Sequence, residues 1–230
     1  MKVQEYISSR REARPLHFTL LDPGKTSADD LITLAKQTAE AGTDGFMVGG
    51  STDLSLENVD LAVETIKQTT HMPVILFPTH ASSVSGKADA IFFMSLLNSE
   101  SRQFLVGEQI ASAPWVKKTG LEPLSMAYLV VAPGMTAGRV GQAQPLPRDQ
   151  PDLVVSHALA GQYLGMKYIY LEAGSGASEP VPEEIIKSVR ESIDVTLIVG
   201  GGIRTPESAR KVVSAGADIV VTGTFVETSQ

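Results

Sequence analysis

The fold is decided by a pattern that the chain contains twice, AGTDGFMVGG at residues 41–50 and AGADIVVTG at residues 215–223. In each copy a glycine follows a helical pattern, a short apolar run comes next, and the run ends in glycine beside a small hydroxyl residue. A glycine past a helix end and a wholly apolar run are typical of a helix that returns to a buried parallel strand. A helix-to-strand module used more than once predicts an α/β fold with a parallel sheet.

Short apolar runs of this kind recur along the whole chain, and most of them do not alternate with polar residues. We expect eight strands, at Leu16–Leu21, Gly45–Val48, Pro73–Phe77, Ala90–Met94, Leu124–Val131, Lys167–Leu171, Val195–Val199 and Asp218–Thr222. Amphipathic helical patterns lie between many of them, as at Ser27–Ala41 and Leu56–Thr69. Eight parallel strands with helical crossovers in 230 residues predict a single (β/α)8 TIM barrel domain over residues 1–230.

Two segments depart from the ideal barrel. Residues His80 to Asp89 are rich in serine and glycine and too few for a full crossover helix. We therefore predict a modified barrel whose third helix is missing or replaced, which would leave an apolar groove beside Phe92, Phe93, Met94, Leu96 and Leu97. Pro133–Pro151 is rich in proline and glycine and predicts a long, mobile flap.

Glycine turns follow three of the predicted strands, where a barrel enzyme carries its working residues. They are Gly174-Ser175-Gly176, Gly201-Gly202 and Gly223-Thr224. A backbone without side chains can approach an anion closely and direct several N–H groups at it. One such turn alone would indicate only a tight loop, but three on successive strands predict a phosphate site. Arg204 lies beside this site, and its side chain could equally well face solvent.

Three further polar side chains follow predicted strands at the same end of the barrel. Asp22 and Ser51 offer hard oxygen ligands that suit Mg²⁺, although Asp22 before a proline and Ser51 beside glycines are also ordinary turn residues. Glu172 could accept a hydrogen bond from a substrate hydroxyl or act as a general base, and it could instead be paired with a cation. Tyr170 could offer its phenol to a substrate or simply pack in the strand.

Composition excludes several classes of function. The net charge is -7, and the only basic cluster is Arg10, Arg11 and Arg14. A solvated N-terminal helix explains this cluster. We therefore expect no nucleic acid partner, since such binding depends on basic residues that neutralise phosphates. The absence of cysteine excludes disulfides and thiolate metal sites. No apolar run reaches the length of a membrane span, and we expect a cytoplasmic protein.

The chain resembles the geranylgeranylglyceryl phosphate synthase and heptaprenylglyceryl phosphate synthase family. The matching motifs are Leu21–Lys25, Val48–Ser51, Tyr170–Ala177, Val199–Pro206 and Gly223-Thr224. The resemblance implies a modified (β/α)8 barrel in which a prenyl group moves from a prenyl diphosphate to the 3-hydroxyl of sn-glycerol 1-phosphate, with release of diphosphate. This reaction makes the first ether bond of archaeal-type membrane lipids. Some relatives have a lysine where this chain has Leu20, and Lys25 is a candidate substitute.

The resemblance also implies roles for particular residues. Mg²⁺ would be held by Asp22 and Ser51, and Glu172 and Asp22 would be the catalytic residues. Glycerol phosphate would be bound by Tyr170, Leu171, Glu172, Ala173, Gly174, Ser175, Gly176, Gly201, Gly202, Gly223 and Thr224. A homo-oligomer (dimer or hexamer) and transient membrane contact for product release would fit the family.

Three alternatives stay open at this point. The donor could be a C35 heptaprenyl rather than a C20 geranylgeranyl diphosphate. More remotely, the same barrel could carry a sugar-phosphate isomerase or cyclase, but that chemistry needs an acid and a base on opposite sides of the substrate, and the fifth strand ends in Val130-Val131-Ala132-Pro133 without an acid. A barrel that binds phosphate without catalysis is the third.

Overall fold

The computed structural model describes residues 1–50 and 54–223. It contains eight parallel strands that close into a barrel in chain order, each paired with its sequence neighbours, and the last pairs with the first. The strands are β1 Leu16–Leu21, β2 Gly45–Val48, β3 Val74–Leu76, β4 Ala90–Leu96, β5 Glu122–Val130, β6 Tyr168–Glu172, β7 Thr196–Gly200 and β8 Ile219–Thr222. The predicted (β/α)8 barrel is confirmed.

Helices surround the barrel as the helical patterns predict. Within the described residues they are α1 Val3–Arg11, α2 Ala28–Glu40, α3 Leu56–Thr69, α4 Glu108–Thr119, α5 Met135–Val140, α6 Pro151–Tyr163, α7 Glu183–Ser192 and α8 Pro206–Ser214. Helices α2 and α3 begin where Ser27 and Ser55 accept hydrogen bonds from main-chain N–H groups three residues later, as is usual at a helix N-terminus. None of the helices in this part of the chain is long and apolar enough to cross a membrane.

The third crossover helix is replaced, as predicted. Between β3 and β4 the chain forms only a short 3₁₀ helix, Ala81–Ser83. On the other side of β4, a turn of π-helix at Gln103–Gly107 leads directly into α4. The barrel wall beside β4 is therefore thinner than elsewhere, which leaves space for the groove described below.

Apolar side chains fill the barrel, and α1 closes one end of it. A buried cluster receives residues from all eight strands, including Phe18, Phe92 and Tyr168, and Val3 and Ile7 of α1 pack into the same cluster. The α1 N-terminus is held by the carboxylate of Glu122, which accepts from the N–H groups of Val3 (2.6 Å) and Gln4 (3.2 Å). This end lies at the start of the strands, opposite the end that carries the glycine turns.

The basic cluster in and just after α1 is bound to the barrel rather than merely solvated. Arg14 and Arg10 pair with the carboxylate of Asp44, at 2.6 Å and 3.3 Å, and Arg11 pairs with Asp218 at 3.4 Å. Burial opposes ionisation of Asp44, but the hydrogen bonds from Arg14 and from the His17 N–H hold the pKa of that carboxyl below its usual value. The expectation of a solvated helix was incomplete because aspartates just before two strands face these arginines.

Candidate active site

The ends of the strands opposite α1 surround a polar cleft of about 260 Å³. Side chains from β1, β6 and the loop after β7 line it, together with main chain from four glycine turns. The lining residues that matter below are Asp22, Lys25, Gly50, Tyr170, Glu172, Ser175, Gly176, Gly201, Gly202, Arg204 and Gly223. Most of the residues predicted from sequence to bind substrate therefore meet in one cavity.

Three predicted substrate residues lie elsewhere. Leu171 and Ala173 are fully buried in the apolar layer between the sheet and its helices, because successive side chains of a strand point to opposite faces. Gly174 does not line the cleft, since its N–H donates to Glu172 Oε1 at 2.7 Å. Two other predictions, Ser51 as a metal ligand and Thr224 as a substrate residue, lie outside the described residues.

Glu172 is one of two buried carboxylates that line the cleft, with about 6% of the residue exposed; Asp22 is the other. Besides the Gly174 N–H, it accepts a hydrogen bond from the Tyr128 hydroxyl at 3.1 Å and another from the Tyr170 hydroxyl. Burial raises the pKa of the Glu172 carboxyl, and these hydrogen bonds offset part of the increase. Burial also raises the pKa of both phenols well above the usual value, so they remain protonated donors. A carboxylate with a raised pKa is a suitable general base near neutral pH.

Tyr128 was missed in the sequence analysis. It stands opposite Tyr170 in the register of β5 and β6, and two residues further on Val130 stands opposite Glu172. The two phenol rings meet edge to face at 5.2 Å, and Phe77 packs against both. The register between β5 and β6, which local sequence patterns do not give, is what identifies Tyr128 as a neighbour of Glu172.

At Gly201 and Gly202 the chain is packed so closely that side chains would not fit, whereas a Cβ at Gly176 would meet nothing within 4 Å. A Cβ at Gly201 would lie 2.7 Å from Gly174 N and would overlap Glu172 Oε1, and one at Gly202 would overlap the Glu179 carbonyl. Both glycines have positive φ, +81° and +70°, which side chains rarely adopt. Arg204 crosses this edge of the cleft and donates to the Gly176 carbonyl at 2.8 Å. The turns thus present main chain and one guanidinium to the cavity.

Asp22 lies at the opposite edge of the cleft, directly after β1. Its carboxylate is nearly buried, accepts from the Gly24 N–H at 3.0 Å and pairs with Lys25 Nζ at 2.9 Å. A Cβ at Gly50 would lie 2.5 Å from this carboxylate, so glycine keeps that approach open. Lys25 thus supplies a cation in the cleft, while Leu20 lines it as an apolar residue.

The fit to Mg²⁺ depends on this single carboxylate. No group of three or more His, Cys, Asp or Glu side chains that could hold a metal occurs within residues 1–50 and 54–223. Magnesium usually takes one or two protein oxygens and completes its shell with water and substrate phosphates, so one aspartate beside a phosphate cleft fits its requirements.

An apolar groove of about 120 Å³ adjoins the cleft along the thin side of the barrel. Four of the five apolar residues predicted for it line it (Phe92, Phe93, Met94 and Leu96), together with Phe77 and Phe104. The fifth, Leu97, packs in the outer core instead. Four residues line both cavities: Leu20, Gly50, Glu172 and Ser175. A hydrocarbon in the groove and a polar molecule in the cleft would meet at Glu172.

A polar cluster spans the side of the groove. Glu108 at the start of α4 accepts from the Ala81 N–H at 2.7 Å, from Gln103 Nε2 at 2.6 Å, and contacts His80 Nδ1 at 3.1 Å. Burial opposes ionisation of Glu108, but these hydrogen bonds hold the pKa of its carboxyl below the usual value. The cluster joins the 3₁₀ helix that replaces the third crossover helix to the π-helical turn across the groove.

A closed parallel barrel with glycine turns around a polar cleft, and an apolar groove beside it, defines the class as a (β/α)8 barrel enzyme whose candidate site lies at the carboxyl ends of its strands. The chain belongs to the PcrB family, whose model matches residues 7–230.

Known proteins similar to this chain are geranylgeranylglyceryl phosphate synthases. The enzyme of that name from Pyrococcus horikoshii is 54% identical over 226 residues, which cover 98% of this chain and 89% of the relative. The structure of (S)-3-O-geranylgeranylglyceryl phosphate synthase from Thermoplasma acidophilum in complex with its substrate sn-glycerol-1-phosphate is 46% identical, with a TM-score of 0.97, and the match covers 100% of this chain and 93% of that one. The enzyme from Thermoplasma volcanium gives a TM-score of 0.96 at 46% identity, over 100% and 92% of the two chains.

Proposed function

We propose that this protein is a geranylgeranylglyceryl phosphate synthase, a prenyltransferase. It joins the geranylgeranyl group of geranylgeranyl diphosphate to the 3-hydroxyl of sn-glycerol 1-phosphate and releases diphosphate. The observation that carries the proposal is the meeting of a polar, glycine-lined cleft and an apolar groove at one buried carboxylate, Glu172. Identity of about half over nearly the full chain to synthases of this name supports it.

Glycerol phosphate binds in the cleft. Its phosphate lies against the turns at Gly176, Gly201-Gly202 and Gly223, where main-chain N–H groups and the Arg204 guanidinium favour an anion. Its free hydroxyls extend toward Glu172 and Tyr170. The prenyl chain lies in the groove, with its diphosphate toward Lys25 and Asp22.

Glu172 orients the glycerol 3-hydroxyl and takes its proton. The hydroxyl oxygen forms the ether bond to the first carbon of the prenyl chain. The bond from that carbon to the diphosphate oxygen breaks, and diphosphate leaves with the electron pair. The hydrogen bonds from Tyr128, Tyr170 and the Gly174 N–H fix the direction of the Glu172 carboxylate.

Asp22 is the residue that would hold Mg²⁺, together with Ser51. When bound there, Mg²⁺ would neutralise the charge of the departing diphosphate. Lys25, which pairs with Asp22, offers a second positive charge at the same edge of the cleft.

Asp22→Asn tests the role of this carboxylate. The variant keeps the shape of the side chain but loses its charge, so we expect turnover to be abolished while sn-glycerol 1-phosphate, measured by calorimetry, still binds. Asp29→Asn, which removes an exposed charge from the first turn of α2, is the matched control and should remain active. Normal turnover of Asp22→Asn with unchanged metal dependence would contradict the proposal.

The reaction class and the chain length are measured together by supplying radiolabelled glycerol 1-phosphate with prenyl diphosphates of increasing length. We expect an ether product with the C20 donor. A product only with the C35 donor identifies a heptaprenylglyceryl phosphate synthase. Binding without diphosphate release points to a non-catalytic barrel, and consumption of an aminosugar phosphate without any prenyl donor points to an isomerase.

Further parts of the proposal concern the surroundings of the enzyme. We propose a cytoplasmic homo-oligomer (dimer or hexamer) that touches the membrane transiently when it releases its lipid product. Helix α4 forms one wall of the groove, and its outer side exposes Ile110 and Trp115 close to Lys117 and Lys118. Apolar side chains beside lysines suit contact with an anionic lipid surface.

A further inference from the structure

The segment between β5 and α6, residues 131–150, packs behind two of the glycine turns. The sequence analysis predicts a mobile flap here; the structure shows how the segment is attached to the barrel, and its mobility stays a prediction. The segment contains α5, and main-chain hydrogen bonds join it to the end of β6 and the loop that follows: Val131 N–H to Glu172 O (2.8 Å) and Gly134 N–H to Ala173 O (3.1 Å). Within the segment, the Ala132 N–H donates to Leu146 O (2.9 Å). Its main chain is therefore fastened directly to the loop that follows β6.

The first contact is with the turn that begins at Gly174. A Cβ on Gly174 would lie 2.7 Å from the carbonyl carbon and oxygen of Gly134 and 2.7 Å from the Cβ of Met135. The two backbones thus touch where Gly174 donates its N–H to Glu172. Any displacement of Gly134 would move this turn and the carboxylate that depends on it.

The second contact is made by Arg148. Its guanidinium donates through Nη1 to the Ala132 carbonyl at 3.2 Å and through Nη2 to the Pro180 carbonyl at 3.0 Å, and it pairs with Glu179 at 3.4 Å. The Glu179-Pro180 peptide is in turn the back wall of the Gly202 turn, because a Cβ on Gly202 would lie 2.7 Å from Pro180 N. One side chain therefore joins the end of β5 to the support of the second glycine turn.

We infer that Arg148 is a positioning residue for phosphate binding. It is absent from the residues that line the cleft, so it acts through the peptides that it holds. By fixing Ala132 and Pro180 at once, it sets the spacing between the Gly174–Gly176 turn and the Gly201-Gly202 turn, which together hold the phosphate of glycerol phosphate. The inference rests on the proposed function for the identity of the phosphate ester, while the spacing role applies to any phosphate bound there.

Arg148→Ala removes the hydrogen bonds to the Ala132 and Pro180 carbonyls and the pairing with Glu179, and leaves the cleft residues unchanged. We expect the affinity for sn-glycerol 1-phosphate, measured by calorimetry without prenyl diphosphate, to fall about tenfold, the effect of one charge-assisted hydrogen bond. The KM for glycerol phosphate should rise by the same factor, whereas kcat and the KM for the prenyl diphosphate stay near the wild-type values. Arg148→Lys keeps the charge and can reach one carbonyl but not both. Its affinity for glycerol phosphate should lie between those of the wild type and Arg148→Ala. Arg139→Ala is the matched control, since it removes an exposed guanidinium from the same segment.

The outcomes separate the positioning role from a structural one and from the proposed reaction. Affinity for glycerol phosphate equal to wild type in Arg148→Ala would overturn the inference. The inference would also be overturned if Arg148→Ala lost affinity equally for both substrates in step with a lower melting temperature, and if Arg148→Lys did not restore that affinity. Inorganic phosphate is titrated in parallel: if wild type makes no prenyl ether but Arg148→Ala still binds inorganic phosphate more weakly than wild type, the transferase proposal fails and the positioning role stands.

Discussion

Replacing Gly201 with alanine should separate the chemistry of the cleft from the stability of the barrel. Gly201 has φ of +81°, so an alanine there carries a backbone strain of roughly 1–2 kcal/mol. Its Cβ would also lie 2.7 Å from Gly174 N and 2.9 Å from Gly174 O, and would overlap Glu172 Oε1. Backbone atoms cannot rotate away, so the carboxylate and the Gly174 turn must separate.

The expected loss follows from the hydrogen bond that this separation breaks. A hydrogen bond from a backbone N–H to a buried carboxylate contributes roughly 1.5–3 kcal/mol, so kcat/KM should fall about 10- to 100-fold. Gly120→Ala is the matched control. Gly120 has a similar φ of +75°, but a Cβ there meets nothing within 4 Å, and it ends α4 away from the cleft.

The assay is turnover of radiolabelled glycerol 1-phosphate with geranylgeranyl diphosphate, together with the melting temperature of each variant. Gly120→Ala should lose stability through its positive φ alone and keep its activity, whereas Gly201→Ala should lose more stability, because its Cβ also overlaps neighbouring atoms, and most of its activity. Equal kcat/KM in the two variants would refute the argument that the close contact between Gly201, Gly174 and Glu172 sets the geometry of the site.

Two further predictions concern the base and the outer wall of the groove. Glu172→Gln should lower kcat by about 10²–10⁴-fold. Because burial raises the pKa of the Glu172 carboxyl, kcat/KM of the wild type should fall on acidification at a pH higher than the pKa of an ordinary glutamate. A rate profile that stays flat through the titration range of carboxyl groups would contradict this. Trp115 is the only tryptophan in the chain, and 40% of it is exposed. Anionic lipid vesicles should therefore shift its fluorescence to shorter wavelength more than zwitterionic vesicles do. An unchanged spectrum with both kinds of vesicle would reject membrane contact through α4.

The barrel was predictable because each strand carries its own local signal. The apolar runs at β1 and β2 match the structure residue for residue, since Asp22 directly follows the first strand and Gly49 the second. The fifth strand begins two residues earlier than its apolar run, at Glu122. That residue extends the strand because its carboxylate holds the N-terminus of α1, more than 100 residues away, and no local pattern contains such a contact.

The site divides in the same way. Residues that directly follow strands, such as Asp22, Glu172 and Gly201, could be assigned to one cleft because parallel strands end at the same edge. Tyr128 and Arg148 could not, since one depends on the register between two strands and the other on a loop that returns to the barrel. Proline and glycine indicate a loop at residues 133–151, but they do not reveal how tightly it packs: a Cβ on Gly134 would lie 2.6 Å from Val130 Cγ1, and the Gly134 backbone is what a Cβ on Gly174 would meet.

Helix α1 packs against one end of the barrel, so the cleft opens to solvent only at the other end. No ligand can pass through the barrel from one end to the other, so a molecule that enters the cleft must leave by the same opening. A head group and a pyrophosphate that leave through this opening compete for the same space. A long hydrocarbon can instead lie in the apolar groove beside β4. The side of β4, where a 3₁₀ helix replaces a crossover helix, is therefore the part of the barrel with room for a hydrocarbon beside the cleft.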